Sequence, residues 1–397
     1  MSQPQQSYPV PFPSQVPDDV PLLRTEGLTR HFQIGGIFSK KNLHAVDGAE
    51  LSIGRGEIVA LAGESGSGKS TVARLLAKVY RPTAGEIWFD GKPLSQLRSR
   101  TDVLAYRSQA PMVFQDPFSS INPVYRISHG ILRTLKLHRP ELNAEQRTAE
   151  AERLLTVVGL TPADQYLQKF PYEMSGGQRQ RIGFAQALAS NPKLIIADEP
   201  VSMLDVSIRI GLLNLMTELR DRQGVSFLYI THDLASARYA ADRLIVMYAG
   251  HIVEQGPIEE ILAAPKHPYT QLLLATVPDP RAPLADLAGA DKGEPPKVVD
   301  PRPGCRFRAR CPVAVAQCAT VTPELRLLGD RHQAACHVAV PGSAATSGSA
   351  ATSGSAATSG AAFGATSGAA SGATPGARPG TPLTAPTRAI PTPRDPA

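Results

Sequence analysis

Short runs of consecutive apolar residues recur along the chain, and each is bounded by polar residues or glycine. The four clearest runs are Ile58–Ala62, Leu194–Ala197, Ser226–Ile230 and Arg243–Tyr248. Runs of this length are typical of strands that are buried on both faces of a parallel sheet. Between them, apolar residues recur at helical spacing, most clearly over Glu145–Val158. The pattern predicts an α/β fold whose mainly parallel core sheet is covered by helices on both faces.

A different pattern, with shorter alternating stretches, surrounds the first of these runs. Strand-like stretches occur at Leu22–Leu28, Arg30–Ile34 and His44–Ile53, with a predicted loop at Gly35–Asn42. A further strand, Gly85–Gly91, ends in an Asp-Gly turn, which is a common hairpin signal. These stretches predict an antiparallel sheet that packs beside the parallel core.

Changes in composition predict where domains begin and end. The 397 residues are enough for two or three domains. A Pro- and Gln-rich start and C-terminal Ser-Ala-Ala-Thr-Ser-Gly repeats contain too few large apolar residues to fold, so we expect both to be disordered. The predicted divisions are a disordered segment at 1–21, a main domain at 22–256 with a helical subdomain at about 116–188, a C-terminal extension at 257–340 and a low-complexity tail at 341–397.

Charge and hydropathy exclude several classes of function. The formal net charge is +6, but no basic run gathers this charge, so nucleic-acid binding is not favoured. No apolar stretch is long enough to span a bilayer, and the first twenty residues lack the features of a secretory signal. We therefore expect the chain in the cytosol, where its four cysteines would stay reduced rather than form structural disulfides.

The run Ile58–Ala62 leads into the most informative motif, the pattern G-x-x-x-x-G-K-[ST], and a helical pattern follows it. Its glycines let the backbone turn so that N–H groups point at phosphate oxygens, and the helix adds its positive end. Lys69 can reach the β- and γ-phosphates of a nucleotide, and the Ser70 hydroxyl can ligate Mg²⁺. The predicted ATP-binding residues of this loop are Gly63, Glu64, Ser65, Gly66, Ser67, Gly68, Lys69, Ser70 and Thr71.

Four further motifs follow the phosphate loop. Gln115 comes after a short apolar run, Ser175–Gln178 precedes a long helical pattern, and Asp198–Glu199 and His232 each end a predicted strand. Each motif alone has an ordinary structural explanation, such as a surface glutamine, a helix cap, a loop ion pair or a structural histidine. Their occurrence together, in this order on one chain, is not explained in that way.

In this order the motifs resemble the nucleotide-binding subunits of ATP-binding cassette (ABC) transporters, over about Leu22 to Gln255. The stretch Ser175–Gln178 is the most specific part, because other P-loop ATPases lack it. The resemblance implies a P-loop ABC nucleotide-binding domain, with a mainly parallel core sheet, an antiparallel β subdomain and a helical subdomain that carries this signature. It also implies ATP and Mg²⁺ as cofactors and ATP hydrolysis as the reaction.

The resemblance further implies a role for each motif. Glu199 is the candidate general base, His232 would bind the γ-phosphate and orient Glu199, and Gln115 would sense Mg²⁺ and water. Asp198 would hold the Mg²⁺ shell together with Ser70 and Gln115. Because ATP would lie between two cassettes arranged head to tail, the signature would face the ATP of the opposite cassette. The signature residues are Ser175, Gly176, Gly177 and Gln178.

Two more residues match positions of the family pattern, and two depart from it. Asp205 matches the loop that crosses between the two sites, and Phe32 matches the aromatic residue that stacks on adenine. Met174 stands where Leu is common, and Met203 stands where Ala is usual. Both replacements keep an apolar side chain and remove no chemical group.

Several stretches resemble the oligopeptide/dipeptide importer branch of the family. The resemblance implies a subunit that powers peptide import from the cytoplasmic face of the inner membrane, as a peripheral protein. Its implied partners are a second, non-identical ATP-binding subunit, two transmembrane permeases and an extracytoplasmic peptide-binding protein, with no nucleic acid. The stretches are Ala45–Gly48, Gly63–Gly66, Val113–Pro123, Leu204–Ser207, His267–Thr270 and the block from Gly304 to His337.

Four cysteines lie in this last block, at spacings unlike the close C-x-x-C pairs of zinc ribbons. Thiolates bind iron–sulfur clusters or zinc. Resemblance to importer cassettes that carry a [4Fe–4S] cluster in this extension favours iron. Four reduced thiols, or zinc with His332 and His337 as spare ligands, are the alternatives. The cysteines are Cys305, Cys311, Cys318 and Cys336.

Other functions remain open on the sequence. The same kind of importer could carry oligosaccharides or nickel, because cargo contacts would lie in other chains. A soluble, non-transport ABC ATPase acting on DNA or ribosomes is disfavoured, since the chain lacks a long insertion before the signature and a second cassette.

Overall fold

The structure is a computed structural model that describes residues 20–35, 41–116, 121–275 and 298–339. All of them belong to the compact unit Met1–Thr346, and the second unit, Ser347–Ala397, lies outside the described residues. The predicted disordered segments lie outside them as well, except for residues 20 and 21. So do residues 36–40 of the predicted loop.

Two sheets and a set of helices form the described unit. In chain order the strands are β1 (Leu23–Ile34), β2 (Lys41–Ala49), β3 (Ser52–Ile53), β4 (Ile58–Ala62), β5 (Ala84–Phe89), β6 (Lys92–Pro93), β7 (Met112–Val113), β8 (Leu194–Asp198), β9 (Ser226–Thr231), β10 (Arg243–Tyr248), β11 (His251–Pro257), β12 (Arg326–Leu327) and β13 (Gln333–Ala334). The α-helices are α1 (Lys69–Leu76), α2 (Arg100–Gln109), α3 (Ile127–His138), α4 (Ala144–Val157), α5 (Ala163–Gln168), α6 (Gly176–Leu188), α7 (Val206–Gln223), α8 (Leu234–Ala240), α9 (Ile258–Ala263) and α10 (Pro268–Ala275).

The larger sheet has the strand order β12-β13-β11-β10-β4-β9-β8-β7. Its central part, from β10 to β7, is parallel, and β11, β13 and β12 extend it in antiparallel fashion. Every residue of β4, β8 and β9 is buried, as the continuous apolar runs predicted. The predicted mainly parallel core sheet is therefore confirmed.

Alternate residues of the central strands pack into two different cores. Ile58 and Ala60 of β4 pack with the helices α3 to α7, whereas Val59 and Leu61 pack with α1 and the smaller sheet. Successive side chains of a strand point to opposite faces, so one apolar run supplies both cores. This arrangement explains why β4 is apolar without alternation.

The smaller sheet is antiparallel, with the order β2-β1-β5-β6 and with β3 paired to β1. The predicted antiparallel sheet is confirmed, but two of its boundaries were wrong. Lys41 and Asn42, predicted as loop, pair with Ile34 and Gln33, because cross-strand hydrogen bonding outweighs their polar character. The predicted strand His44–Ile53 is two strands, β2 and β3.

The C-terminal block is joined to the main sheet through β13, which pairs with β11. Glu254 of β11 is fully buried and accepts hydrogen bonds from the backbone N–H groups of Lys266 at 2.7 Å and of His267 at 3.0 Å. Its carboxylate also lies 2.6 Å from Nε2 of His332. A buried carboxylate needs such partners, so these bonds stabilise the junction. Across the described ranges, no helix has the length and apolar character needed to cross a membrane.

Candidate active site

Four neighbouring strands of the main sheet end at the same edge. Strand β4 runs into the phosphate loop, β7 ends two residues before Gln115, β8 ends at Asp198, and β9 ends just before His232. Because β7, β8, β9 and β4 are adjacent and parallel, their carboxyl ends bring these side chains together. Ligand sites in open α/β sheets form at this edge.

The phosphate loop passes so close to its neighbours that two of its glycines admit no side chain. Gly63 and Gly68 have φ angles of 153° and 110°. A Cβ on Gly63 would lie 2.2 Å from the Met247 carbonyl oxygen, and one on Gly68 would lie 2.3 Å from that of Ala45. The loop is thus held between β10 and β2. A phosphate loop of this kind uses the backbone N–H groups that remain free to bind phosphate oxygens.

Two polar side chains are buried in this loop. The Lys69 ammonium donates to the carbonyl oxygens of Gly63 at 2.7 Å and Glu64 at 2.9 Å. Burial lowers the pKa of Lys69, and the nearby carboxylates of Glu199 and Asp198 oppose this effect. Ser67 is fully buried, and its Oγ has no hydrogen-bond partner among the described residues. Ser65 and Gly66 are exposed at the tip of the loop. The donor set fits a phosphate group.

The predicted Mg²⁺ ligands also lie together. The Ser70 hydroxyl donates to Oδ1 of Asp198 at 3.2 Å. Asp198 is buried, and this burial raises the pKa of its carboxyl group, while the Ser70 hydrogen bond works in the other direction. Carboxylate and hydroxyl oxygens are ligands that Mg²⁺ prefers, so this pair fits the ion.

The three predicted catalytic side chains meet at one carboxylate oxygen. Oε2 of Glu199 accepts a hydrogen bond from Nε2 of Gln115 at 3.1 Å and lies 3.3 Å from Nδ1 of His232. Glu199 adopts a φ of 46°, a left-handed conformation that is uncommon for a residue with a side chain. Its N–H donates to the Ile230 carbonyl oxygen at 3.0 Å, which anchors this conformation to β9.

The signature residues begin α6 and are held by local hydrogen bonds. Ser175 is the N-cap residue, and its hydroxyl accepts from the N–H of Gln178 at 3.3 Å, while the Gln178 side chain accepts from the Ser175 N–H at 3.1 Å. The Gln178 amide also donates to the Tyr166 hydroxyl at 3.3 Å. A Cβ on Gly177 would lie 2.4 Å from Cγ2 of Ile208, so this glycine lets α6 approach α7.

The structure does not join this signature to the chain's own phosphate loop. In the parts of the chain that are described, the side-chain hydrogen bonds of Ser175 and Gln178 run to each other and to Tyr166. Gly176 and Gly177 lie in the first turn of α6, where backbone N–H groups lack partners within the helix. The signature is therefore arranged as a separate group of donors at a helix N-terminus.

Two residues with weaker signals have distinct environments. Phe32 is half-buried on β1, and its ring lies 5.4 Å from that of Tyr80 and 4.5 Å from the Arg30 guanidinium carbon. Asp205 is the exposed N-cap residue of α7, and its carbonyl oxygen accepts from the N–H of Arg209 at 2.9 Å. Neither contact tests the role that the sequence predicted for it.

Sequence reasoning did not anticipate a contact between the C-terminal block and the phosphate loop. The Arg310 guanidinium donates to both carboxylate oxygens of Glu64, at 2.8 and 3.0 Å. The N–H of Glu64 donates to the Tyr269 hydroxyl oxygen at 2.9 Å. The guanidinium carbon of Arg310 also lies 5.7 Å from the Tyr248 ring and 5.9 Å from the Phe307 ring. Glu64 and Arg310 are 246 positions apart, so no local pattern could reveal the pair.

The four cysteines are present as thiols in the same block. Burial raises the pKa of Cys305, and the Cys318, Cys311 and Cys336 thiols act in the same direction. Four sulfurs around a tetrahedral zinc ion would be about 3.8 Å apart, given Zn–S bonds of about 2.3 Å. In the described part of the chain, no three of these sulfurs lie within 4.8 Å of one another. The sulfurs are thus not gathered as closely as the ligands of a single zinc ion would be.

The two histidines considered as spare zinc ligands have other partners. His332 is buried against Glu254, with 2.6 Å between Nε2 and Oε1. Nε2 of His337 lies 2.9 Å from the carbonyl oxygen of Val321. The Nε2 atom of each histidine is therefore engaged with an oxygen atom.

Two family models match the sequence. The model described as ABC transporter matches residues 46–202, and the model described as oligopeptide/dipeptide transporter, C-terminal region, matches residues 253–318. The first match contains the phosphate loop, the signature and the two acids at the end of β8. The second match contains three of the four cysteines, Arg310 and the buried Glu254.

Known proteins with similar sequences match about four fifths of this chain. A probable peptide ABC transporter ATP-binding protein, y4tS, of Sinorhizobium fredii is 42% identical over 328 residues, which are 82% of this chain and 92% of that protein. The oligopeptide transport ATP-binding protein AppF of Bacillus subtilis is 41% identical over 322 residues, which are 80% of this chain and 97% of that protein.

The solved structure of the ATP-binding cassette MJ0796 has a similar fold. Its dimeric post-hydrolysis state, bound to ADP and Pi, gives a TM-score of 0.53 at 27% identity. The match covers 59% of this chain and 98% of that chain.

Proposed function

Because this chain belongs to the ABC transporter family, in the branch with the oligopeptide/dipeptide transporter C-terminal region, we propose that it powers peptide import by hydrolysing ATP. The reaction converts ATP and water to ADP and phosphate. The observation that carries the proposal is the meeting of Gln115, Glu199 and His232 at one carboxylate oxygen beside the phosphate loop. The C-terminal block and the names of the relatives support peptides as the cargo.

Each residue of the site has a role that its geometry supports. Lys69 and the loop N–H groups bind the phosphates, and Ser70 and Asp198 would hold Mg²⁺, which neutralises phosphate charge when bound. Glu199 has one oxygen engaged by Gln115 and His232, so Oε1 remains to accept the proton of the attacking water. Phosphoryl transfer needs mainly positioning and charge stabilisation, which this set of groups supplies.

A second cassette would complete the site. The signature donors at the start of α6 make no hydrogen bond to the phosphate loop within the described residues, which leaves them for the nucleotide of another chain. Beside Asp205, the apolar side chains of Met203, Val206 and Ile210 are exposed by 60%, 68% and 44%. Exposed apolar residues that cluster in this way support a protein interface. We propose a non-identical cassette as the partner, with Asp205 at the crossing between the two sites and Phe32 against adenine.

The remaining assignments follow from the proposed importer function. We propose that residues 22–256 form the ATP-binding domain and 257–340 the extension. We propose two transmembrane permeases and an extracytoplasmic peptide-binding protein as partners, and the cytoplasmic face of the inner membrane as the location. Such partners would supply the membrane crossing, since the described helices do not.

We propose a [4Fe–4S] cluster as the group that the four cysteines hold. All four lie in one block of the chain as free thiols, and thiolates are the ligands that iron–sulfur clusters use, which supports this choice. The side chains that would hold it are Cys305, Cys311, Cys318 and Cys336. Anaerobic purification followed by iron analysis tests the assignment: about four iron atoms per chain are expected, and iron-free protein would contradict it.

The importer function is tested by affinity purification from gently solubilised membranes of the source cell, with mass spectrometry of the proteins that accompany the chain. We expect two permeases and a second cassette, together with a binding protein that points to the cargo. Recovery in the soluble fraction alone, with ribosomes or DNA-repair proteins, would contradict transport and leave only the ATPase chemistry.

A further inference from the structure

A cluster of histidines surrounds one carboxylate outside the nucleotide site. Nε2 of His31 lies 3.2 Å from Oδ1 of Asp47, and Nδ1 of His44 lies 2.8 Å from Oδ2. One ligand atom from each of the three residues lies within 4.8 Å of the other two. In the described part of the chain, this is the group of His, Cys, Asp and Glu side chains that is close enough to hold a metal ion.

The backbone fixes this arrangement. His31 on β1 and His44 on β2 are directly opposite each other in the antiparallel ladder, and their rings stack with centroids 3.6 Å apart. Asp47 follows on β2, and its N–H donates to the carbonyl oxygen of Gly250 at 2.9 Å. The ligand atoms are thus presented by paired strands rather than by a loop, which limits the rearrangement that binding would require.

The spacing suits a small tetrahedral ion. Ligand atoms that bind zinc at about 2.0–2.1 Å with tetrahedral angles are about 3.3 Å apart. The separations of 3.2 Å from His31 Nε2 to Oδ1 of Asp47 and 2.8 Å from His44 Nδ1 to Oδ2 are close to this value, and one ligand atom from each residue lies within 4.8 Å of the other two. Two imidazoles and one carboxylate form a donor set that zinc and the neighbouring divalent transition metals accept.

Two further groups contact the same carboxylate. The Arg306 guanidinium donates to Oδ2 of Asp47 at 2.5 Å, and Nε2 of His251 lies 3.9 Å from Oδ2. Arg306 reduces the attraction of the carboxylate for a cation, so we expect a weaker site than one with an unpaired carboxylate. His251 offers a further nitrogen near the Asp47 carboxylate.

The cluster is accessible from solvent. His31, His44 and Asp47 have side-chain exposures of 25%, 18% and 27%. A cavity of about 660 Å³ is lined by His44, Asp47 and His251 on one side and by the C-terminal block on the other. An ion can therefore reach the ligands without unfolding of the strands.

We propose that His31, His44 and Asp47 form a binding site for a zinc-type divalent cation that is separate from the Mg²⁺ and cysteine sites. The site lies on the strand pair beside the ATP site. His31 precedes Phe32, and the Ala45 carbonyl, next to His44, lies so close to the phosphate loop that a Cβ on Gly68 would be 2.3 Å from its oxygen. A bound ion would fix β1 and β2 together next to that loop.

The test is a zinc titration of chelator-stripped protein under anaerobic conditions, with a chromophoric chelator as competitor. Because free thiolates are also zinc ligands, the informative quantity is the difference in zinc binding between wild type and His31→Gln or His44→Gln. These variants keep a hydrogen-bond donor for Asp47 but lose a good zinc ligand. His138→Gln, a change on α3 away from the cluster, is the matched control.

We expect each cluster variant to bind one zinc equivalent less than wild type, or to bind that equivalent with an affinity lower by roughly tenfold or more. His138→Gln should bind zinc as wild type does. Thermal unfolding without zinc checks that each variant is folded. If either glutamine variant is unfolded, Asp47→Asn, which keeps the shape of the side chain, replaces it. Equal zinc stoichiometry and affinity in wild type and folded cluster variants would overturn the proposal and leave a hydrogen-bonded structural cluster.

Discussion

The ion pair between Arg310 and Glu64 joins the C-terminal block directly to the phosphate loop. Glu64 is the second residue of that loop, and both of its carboxylate oxygens accept from Arg310. Its N–H is held by the Tyr269 hydroxyl at the same time. Replacing Arg310 with alanine would remove two charge-assisted hydrogen bonds and free the loop at this end.

The expected magnitude follows from the geometry and exposure of the pair. A hydrogen bond to a charged group contributes about 1.5–3 kcal/mol to stability. The side chains of Arg310 and Glu64 are 10% and 25% exposed, so solvent screens the pair only in part. After allowance for that screening and for side-chain entropy, a coupling free energy of about 1–2 kcal/mol is reasonable. If all of it served to position the loop, ATP affinity would fall by about tenfold, since about 1.4 kcal/mol is a factor of ten.

A double-mutant cycle measures this coupling. Arg310→Ala, Glu64→Gln and the double variant are compared by urea unfolding and by binding of a fluorescent ATP analogue. Arg308→Ala is the control, because Arg308 is an exposed arginine two residues away. Arg310→Lys keeps the charge but not the two-pronged geometry, so it should recover only part of the effect. A coupling free energy near zero, with ATP affinity equal to that of Arg308→Ala, would refute the reasoning.

Three other predictions concern stability, the loop and the cysteine block. Gly68→Ala should destabilise the loop by about 2 kcal/mol or more and abolish binding of the ATP analogue, because of its φ of 110° and the 2.3 Å approach to the Ala45 oxygen. Burial lowers the pKa of His267 to about 4, so between pH 6.5 and 4 the unfolded chain binds a proton that the folded chain does not. The free energy of unfolding should therefore fall as the pH falls. Between about pH 7 and 5, urea unfolding should show that wild type loses about 2 kcal/mol more of this free energy than His267→Asn. Equal losses in the two proteins would contradict the prediction. Cys318→Ser should lower the iron content of anaerobically purified protein, and an unchanged content would remove Cys318 from the cluster.

The sequence was most informative where chemistry is encoded locally. The phosphate loop, its flanking strand and helix, and the polar residues that end β8 and β9 were all located by motif and apolar pattern. Their convergence follows from one rule, because parallel neighbouring strands bring their carboxyl ends to one edge. The helix cap at Ser175 could likewise be predicted, because serine is a residue type that favours the start of a helix.

Contacts between distant segments could not be predicted in that way. Strands β12 and β13 have two residues each, which is too short for a periodic pattern, yet β13 extends the main sheet. The pairing of Arg310 with Glu64 and the His31–His44–Asp47 cluster both depend on how separate strands and loops come together. The positive φ of Glu199 could not be predicted either, because the residue is not a glycine and its N–H is bonded to the Ile230 carbonyl of β9.

The central claim, that Glu199 is the base of an ATPase site at this sheet edge, is tested most directly by Glu199→Gln in the purified transporter complex. The steady-state rate of phosphate release and the amount of bound ATP are measured together. The account predicts a fall in hydrolysis of about 10²–10⁴-fold, with ATP still bound and the two cassettes held closed. Turnover equal to that of wild type would contradict the role of Glu199 and the mechanism built on it.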